Sequence, residues 1–431
     1  MTAAPETALC KPELYEIKRI QLTSPILHIG SAVSKLSPFE YVQSGKRVYL
    51  PNQEALAKAL YQRGRLQDYI RRIEDQEDIS SLLVDTFGEH WRTAKDPNGE
   101  AIFPEHTISQ KWTNQKITDL RPMIRNGMGQ LYIPGSSIKG AIRTAIAYHL
   151  LKHAEQYQVP RTQQISEIER KLRETMGNLR QKAKVADDEL FMERLFTDFT
   201  LNYQDKPVSS KRGPNTDLMR SVRITDSEPL LQDEVVNKKG QAVPINLPIV
   251  VEVIVSSHFP DGKAKYKAPI FVEMVRNINT HFTISLDSTM LTWFQNTQGM
   301  QIPFKTVDDI LKICQEFAQD QWDEEHYYWQ EVSNNPNAQA KNGQSINLDF
   351  EAIREFYEPE RCLYGLRLGW ASGMTGTTVN LLLPNDLRAE IRDTCSLLKA
   401  PGFEAPKSRR VVAALSREIK FVPGWVKFKV L

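Results

Sequence analysis

The chain has 431 residues, enough for two or three domains around a substantial core. Apolar residues make up 41% and charged residues 25%, and 55 basic against 53 acidic side chains leave a net charge of +2. That balance excludes a generic polycation, so any nucleic-acid affinity must come from local clusters.

Residues 15–20 alternate apolar and polar side chains and read as a first strand, running into a loop or bent strand bracketed by Pro25 and Gly30. A second short strand is expected at 47–50. A helix is expected over 52–74, with Asn52 as its cap, and an irregular insertion over 76–130. A helix follows Pro134-Gly135 as far as about His153, and residues 164–199 read as a charged helical hairpin. Strand patterns return at 221–225, 249–255, 270–275 and 281–286, followed by a helix over 307–329 and a polar, mobile loop over 333–347. The chain closes with a strand at 363–368, a Gly-rich turn from Gly369 to Gly376 and a last strand at 425–430. This order favours an α+β build of ferredoxin-like units with helical insertions. The longest apolar patch, 247–255, is broken by Pro248 and Glu252 and is too short to span a bilayer. The four cysteines show no C-x-x-C spacing, and the N-terminus has no signal-like apolar run. A cytoplasmic protein without membrane, metal or cofactor is expected.

The most informative stretch is Ile133-Pro134-Gly135-Ser136-Ser137-Ile138-Lys139-Gly140-Ala141-Ile142-Arg143, a tight turn opening a helix. Ser136 and Ser137 can cap that helix, and its start offers free donors and partial positive charge to a phosphate. Lys139 and Arg143 share one face beside it. An ordinary capped amphipathic helix, burying Ile138, Ile142, Ile146 and Leu150, explains the same spacing. A nucleotide P-loop does not fit, because Lys139 precedes Gly140 and no K-[ST] pair follows it.

Other candidates are weaker. The window from Lys111 to Arg143 holds Lys111, Lys116, Arg121, Arg125, Lys139 and Arg143 against the single acid Asp119, with Trp112 and Tyr132 interleaved. Cations meet phosphates and aromatic faces stack on bases, although a solvated basic surface looks the same in sequence. Lys407, Arg409 and Arg410 form a second, acid-free basic cluster, expected to be exposed. Gly369, Trp370, Gly373 and Gly376 allow close backbone approach to a ligand, or equally a structural bulge. For catalysis, His28 offers an acid/base group in the early loop, and Asp187, Asp188 and Asp226 offer carboxylates without a telling spacing. His149 and His153 have the spacing of a zinc-protease pair, but Leu150 replaces the glutamate.

The Thr23–Ser31 loop, the Ile133–Arg143 turn-helix, the Gly369–Gly373 loop and the Pro423–Lys427 ending together resemble the RAMP superfamily of CRISPR–Cas proteins. Within it, the likeness is to the group 5, Csm-type backbone subunits of type III effector complexes. The resemblance implies an RNA-recognition-type fold and two units. Residues 1–260 would carry insertions at about 52–130 and 155–220, and 261–431 would be ferredoxin-like and hold the Gly-rich loop. It implies guide RNA, target RNA and other effector subunits as partners, with the chain capping the filament near the 3′ end of the guide. Gly135, Ser136, Ser137, Lys139 and Arg143 would then meet guide phosphates, and Gly369 to Gly376 would lie near the RNA backbone. Related subunits that cut RNA use an aspartate after the first strand, whereas here the segment from Gly30 to Tyr41 offers only Glu40. Binding and assembly are therefore expected rather than cleavage. The rival reading is a RAMP endoribonuclease that processes CRISPR transcripts through His28.

Overall fold

The computed structural model describes residues 15–431 except 188–192, 204–205, 210–211, 232–233, 237–241, 245–246, 259–260, 267–268, 340–342, 344, 359–361, 396–405, 407 and 416–417. In the first part of the chain, strand β1 (Tyr15–Leu27) precedes the hairpin of β2 (Val42–Ser44) and β3 (Arg47–Tyr49). Helices α1 (Gln53–Gln62), α2 (Leu66–Glu74) and α3 (Ser80–Phe87) come next, then β4 (Ile108–Lys111) and β5 (Leu120–Arg121). The middle contains α4 (Gly135–Lys152), α5 (Ile165–Asp187), α6 (Glu193–Thr197), β6 (Phe199–Tyr203), β7 (Lys206–Ser209), β8 (Val222–Ile224), β9 (Glu234–Val236) and β10 (Ala242–Pro244). Strands β11 (Ile249–His258), β12 (Ala264–Tyr266) and β13 (Ile270–Asp287) lead to α7 (Ser288–Trp293), β14 (Phe294–Asn296) and the long α8 (Val307–Glu331). The last part comprises α9 (Glu351–Tyr357), β15 (Leu366–Arg367), α10 (Gly373–Thr377), α11 (Asn385–Cys395), β16 (Arg409–Ala413), β17 (Ile419–Phe421) and β18 (Trp425–Val430).

The result is a mixed fold of sheets and helices. Its 13-stranded sheet runs β15-β18-β1-β13-β11-β4-β3-β2, with β5 and β8 on β13, β12 and β16 on β11, and β17 on β16. Strands β11 and β12 pair with each other in this sheet.

Strand β1 is longer than its first six residues suggest. Ile20, Leu22 and Ile26 are buried at period two, so the alternation carries through Pro25. Proline has no N–H to give, and the β1–β13 ladder steps over it: Ser24 faces Ile278 and Ile26 faces Arg276, while Asn277 opposite takes φ 49°. The two expected strands at 270–275 and 281–286 join through that position, in unbroken register, into the single β13. The expected helix over 52–74 breaks in two at Gly64, whose φ of 70° suits glycine. Its cap holds: the Asn52 side chain accepts from the backbone of Glu54 and Ala55. The polar 333–347 segment is pinned by bridges between Asn335 and Leu348 and between Gln339 and Ser345, and Ala338 and Ile346 are buried in a core cluster with Trp329.

Helix α4 buries Ile138, Ile142, Ile146 and Leu150 as their spacing requires, at about 1.5–3 kcal/mol each. They share a core with Ile20 and Leu22 of β1, with Ile29, and with Ile310 and Phe317 of α8. A second anchor is polar. The Glu273 carboxylate on β13 is fully buried, and Arg125 holds it with two bonds of 2.9 and 2.6 Å. Ser109 of β4 and the Met123 N–H add bonds of 2.5 and 2.9 Å. Burial alone would raise the pKa of Glu273, but the Arg125 guanidinium, Ser109 and Met123 hold it below the usual carboxylate value.

Arg125→Ala leaves that carboxylate buried and without its counter-charge, and a loss of about 3–5 kcal/mol is expected in urea denaturation. Combining it with Glu273→Leu should recover part of the loss. A single-variant loss below about 1 kcal/mol would contradict a load on this pair.

Candidate nucleic-acid interface

The expected anion mouth at the start of α4 is built differently from its sequence reading. Pro134 occupies the cap position and no side chain caps the helix, so Ser136 and Ser137 lie inside the first turn. The Gly135 N–H donates to Asp226 Oδ1 at 2.7 Å, so one anion-binding donor is taken by the protein's own carboxylate. Gly135 is buried, and a Cβ there would overlap the backbone of Ile224 and Thr225 at the end of β8. Its smallness serves helix docking. Ser136 is exposed, and Lys139 is half-buried. Burial and the nearby Arg143 and Arg223 lower the Lys139 pKa against the pull of Asp217. Arg143 is committed within the protein, with bonds of 2.9 and 2.7 Å to Asp217 and its guanidinium 3.9 Å from the Phe196 ring centre.

Two further expectations need correction. Arg125 serves the buried Glu273 and has a side chain only 14% exposed. Arg409 is 5% exposed rather than on an open loop, because strand alternation turns it inward. There its Nε lies 2.7 Å from Glu325 Oε1, beside Arg367 at 3.4 Å, and its guanidinium covers Tyr328. Glu40 closes its own turn by accepting from the Ser37 N–H at 2.7 Å. Lys407 and Asp188 lie outside the described residues, as does the side chain of Asp187.

His28 is 3% exposed. Its Nδ1 lies 2.7 Å from the backbone carbonyl of Glu273. A carbonyl only accepts, so Nδ1 carries the proton of a neutral ring. Burial lowers the His28 pKa to about 4 despite that bond and the Glu273 charge. The His28 carbonyl in turn accepts from Trp370 N–H at 3.2 Å. A Cβ on Gly369, whose φ is 84°, would overlap the same oxygen. The early loop and the Gly-rich run are thus one packed unit, and the latter is a 3-10 turn followed by α10 rather than an open turn. Gly376 is buried and a Cβ there would press on Ser372, whereas Gly373, at φ 68°, is exposed.

Trp370 leads to a surface the sequence did not show. On one face of β11 and β13 lie Ile249, Val251, Val253, Val272 and Met274, with Ile26 and Val412. Half-buried Trp112, Trp370, Phe421 and Ile270 pack on them, and among the described residues no α-helix contributes to this cluster. The other side is covered by α8 and α9, where Ile254, Val411 and Ala413 meet Trp322, Trp329 and Ile353. Over the helix-free face, the Arg410 guanidinium lies 4.0 Å and that of Arg121 5.1 Å from Trp370, and Arg276 lies 4.5 Å from Trp112. Arg410 also donates to the Trp370 carbonyl at 2.5 Å. Among the described residues none of these three arginines is ion-paired, and burial together with Arg121 and Arg367 lowers the Arg410 pKa. Half-buried Lys111 lies on β4, the strand that leads into Trp112. Arg276 and Phe421 had no local signal, because their partners are distant in sequence.

The family model of the RAMP superfamily matches residues 19–355. The chain belongs to the RAMP superfamily. Among curated relatives, "CRISPR system Cms protein Csm5" of Enterococcus italicus is 27% identical over 153 residues, 31% of this chain and 43% of that protein. The chain thus matches less than half the length of that relative. A chain from the cryo-EM structure of a Csm–crRNA–target RNA ternary complex of a type III-A CRISPR–Cas system superposes with a TM-score of 0.60 at 22% identity, covering 96% of this chain and all of that one. The crystal structure of T. onnurineus Csm5 superposes with a TM-score of 0.54 at 20% identity, with the same coverage. These two share the fold. Among the described residues, no helix is long and apolar enough to cross a membrane.

The neutral, buried His28 gives a pH test. Its folded pKa lies below its unfolded one, so its contribution is complete above about pH 6.5 and is lost as pH falls toward 4. Between pH 7 and 5 the loss is about 2 kcal/mol. His28→Gln, which can still donate to the Glu273 carbonyl, should lose that much less stability than the parent over this interval. Equal losses in both proteins would contradict the assignment.

Proposed function

We propose that this RAMP protein is an RNA-binding structural subunit of Csm5 type in a type III CRISPR–Cas effector ribonucleoprotein. It grips the guide RNA toward its 3′ end and caps the backbone filament beside the target RNA and neighbouring subunits. The observation that carries the reading is the sheet face with Trp112 and Trp370 under Arg121, Arg276 and Arg410, to which no α-helix contributes and whose arginines have no acid partner among the described residues. Half-buried aromatic rings suit unpaired bases, and guanidinium groups that no acid neutralises suit phosphates without reading sequence. The start of α4 adds exposed Ser136 and half-buried Lys139. The shared core of Ile29, Ile138, Ile142 and Leu368 joins that helix to the early loop and the Gly-rich run. We read β1, β13 and β11 with α4 and α8 as a ferredoxin-like, RNA-recognition-type unit. Transcript cleavage through His28 is disfavoured, because its ring is buried and neutral.

The test is guide-RNA binding by the full chain across a salt series. Arg121→Ala with Arg410→Ala should weaken binding at least about tenfold and reduce the slope of log K against log salt by about 1.4, or 0.7 per phosphate. Lys139→Ala alone should reduce the slope by about 0.7. Unchanged affinity and slope in a double variant of parental thermal stability would overturn the assignment of this face.

A further inference from the structure

We propose that His149, His153 and Glu316 form a site for a divalent transition cation of the zinc class, clipping α4 to α8. His149 lies in the last turn of α4 and His153 is the residue that caps its C-terminal end, and their ring centroids are 4.6 Å apart. Glu316 comes from α8 opposite. Its Oε1 lies 2.7 Å from His153 Nε2, and its Oε2 is hydrogen-bonded to His149 Nδ1. One ligand atom from each of the three residues lies within 4.8 Å of the others. Donors around a tetrahedral zinc stand about 3.3–3.5 Å apart, so small side-chain rotations open the space a cation needs.

The chemistry of the donors fits. Glu316 presents both carboxylate oxygens, one to each histidine. The second nitrogen of His149, Nε2, is 2.9 Å from the Tyr157 hydroxyl. That hydroxyl can donate or accept, so it can hold the ring in the tautomer that frees Nδ1 for the metal. Lys152 lies 3.1 Å from Glu316 and 2.5 Å from Asp320, and Asp320 keeps it when a cation takes Glu316. The His149, His153 and Glu316 side chains are 15, 33 and 26% exposed, which leaves a fourth position open to water. With Leu150 after His149, the helix lacks the glutamate that serves as general base in a zinc protease.

The experiment uses the full chain, freed of any polyhistidine tag and stripped with a chelator, and titrates zinc chloride near neutral pH by calorimetry. One zinc per chain, a rise in melting temperature on loading, and a visible ligand-field spectrum with cobalt are expected. His153→Ala, at a half-exposed position, should bind zinc at least about tenfold more weakly while keeping the metal-free melting temperature. Glu316→Gln should do likewise and serves as the second variant. Absence of stoichiometric zinc binding by the parent chain would overturn the proposal. So would equal affinity in both variants, which would place the zinc elsewhere, for example at the exposed Cys395.

Discussion

A buried carboxylate organises the surface from which the functional reading starts. Glu273 has no solvent to satisfy it, so the chain brings Ser109, Met123 and Arg125 to it from segments more than 140 residues away. Its backbone carbonyl accepts a hydrogen bond from His28 Nδ1–H, and the His28 carbonyl accepts one from the Trp370 N–H. The side-chain and main-chain bonds of one residue thus align β4, the early loop and the Gly-rich run. A Cβ at Gly369 would break the contact, so glycine is needed there for close approach rather than for mobility. Trp370 is consequently held at the rim of an apolar sheet face, where its ring can carry Arg121 and Arg410.

The two cationic surfaces differ in how their charge is spent. At the start of α4, Asp226 and Asp217 already engage Gly135 and Arg143, so only part of the helix terminus is left for an external anion. On the sheet face, the arginines lie over aromatic rings with no acid paired to them among the described residues. Charge that is unpaired, partly desolvated and next to flat apolar surface is what a single-stranded polyanion with unstacked bases can use. Charge of the first kind holds the fold together. The buried Arg367–Glu325–Arg409 group belongs with it, because no solvent or ligand reaches guanidinium groups 3 and 5% exposed.

What could be read from the sequence follows from the range of the interactions. The buried stripe of α4, the Asn52 cap and the alternation of β1 depend on neighbours within a few residues, and they appear in the structure where periodicity placed them. Cations were the hard case. Arg125, Arg143 and Arg409 look like Arg410 and Arg121 in sequence, yet Glu273, Asp217 and Glu325, which neutralise the first three, lie far along the chain. Arg276 and Phe421 carry no local motif, and only the β1–β13 and β16–β17 ladders bring them to the face. Ser136 and Ser137 suggested caps, but Pro134 took the cap position and moved both into the first turn.

Ultraviolet cross-linking of the assembled ribonucleoprotein, with the attached peptides of this chain identified by mass spectrometry, tests the central claim most directly. The account predicts that guide nucleotides attach to the peptides bearing Trp112 and Trp370. Attachment confined to peptides of the opposite sheet face, where α8 and α9 pack, or absence of any guide-RNA adduct on this chain, would contradict it.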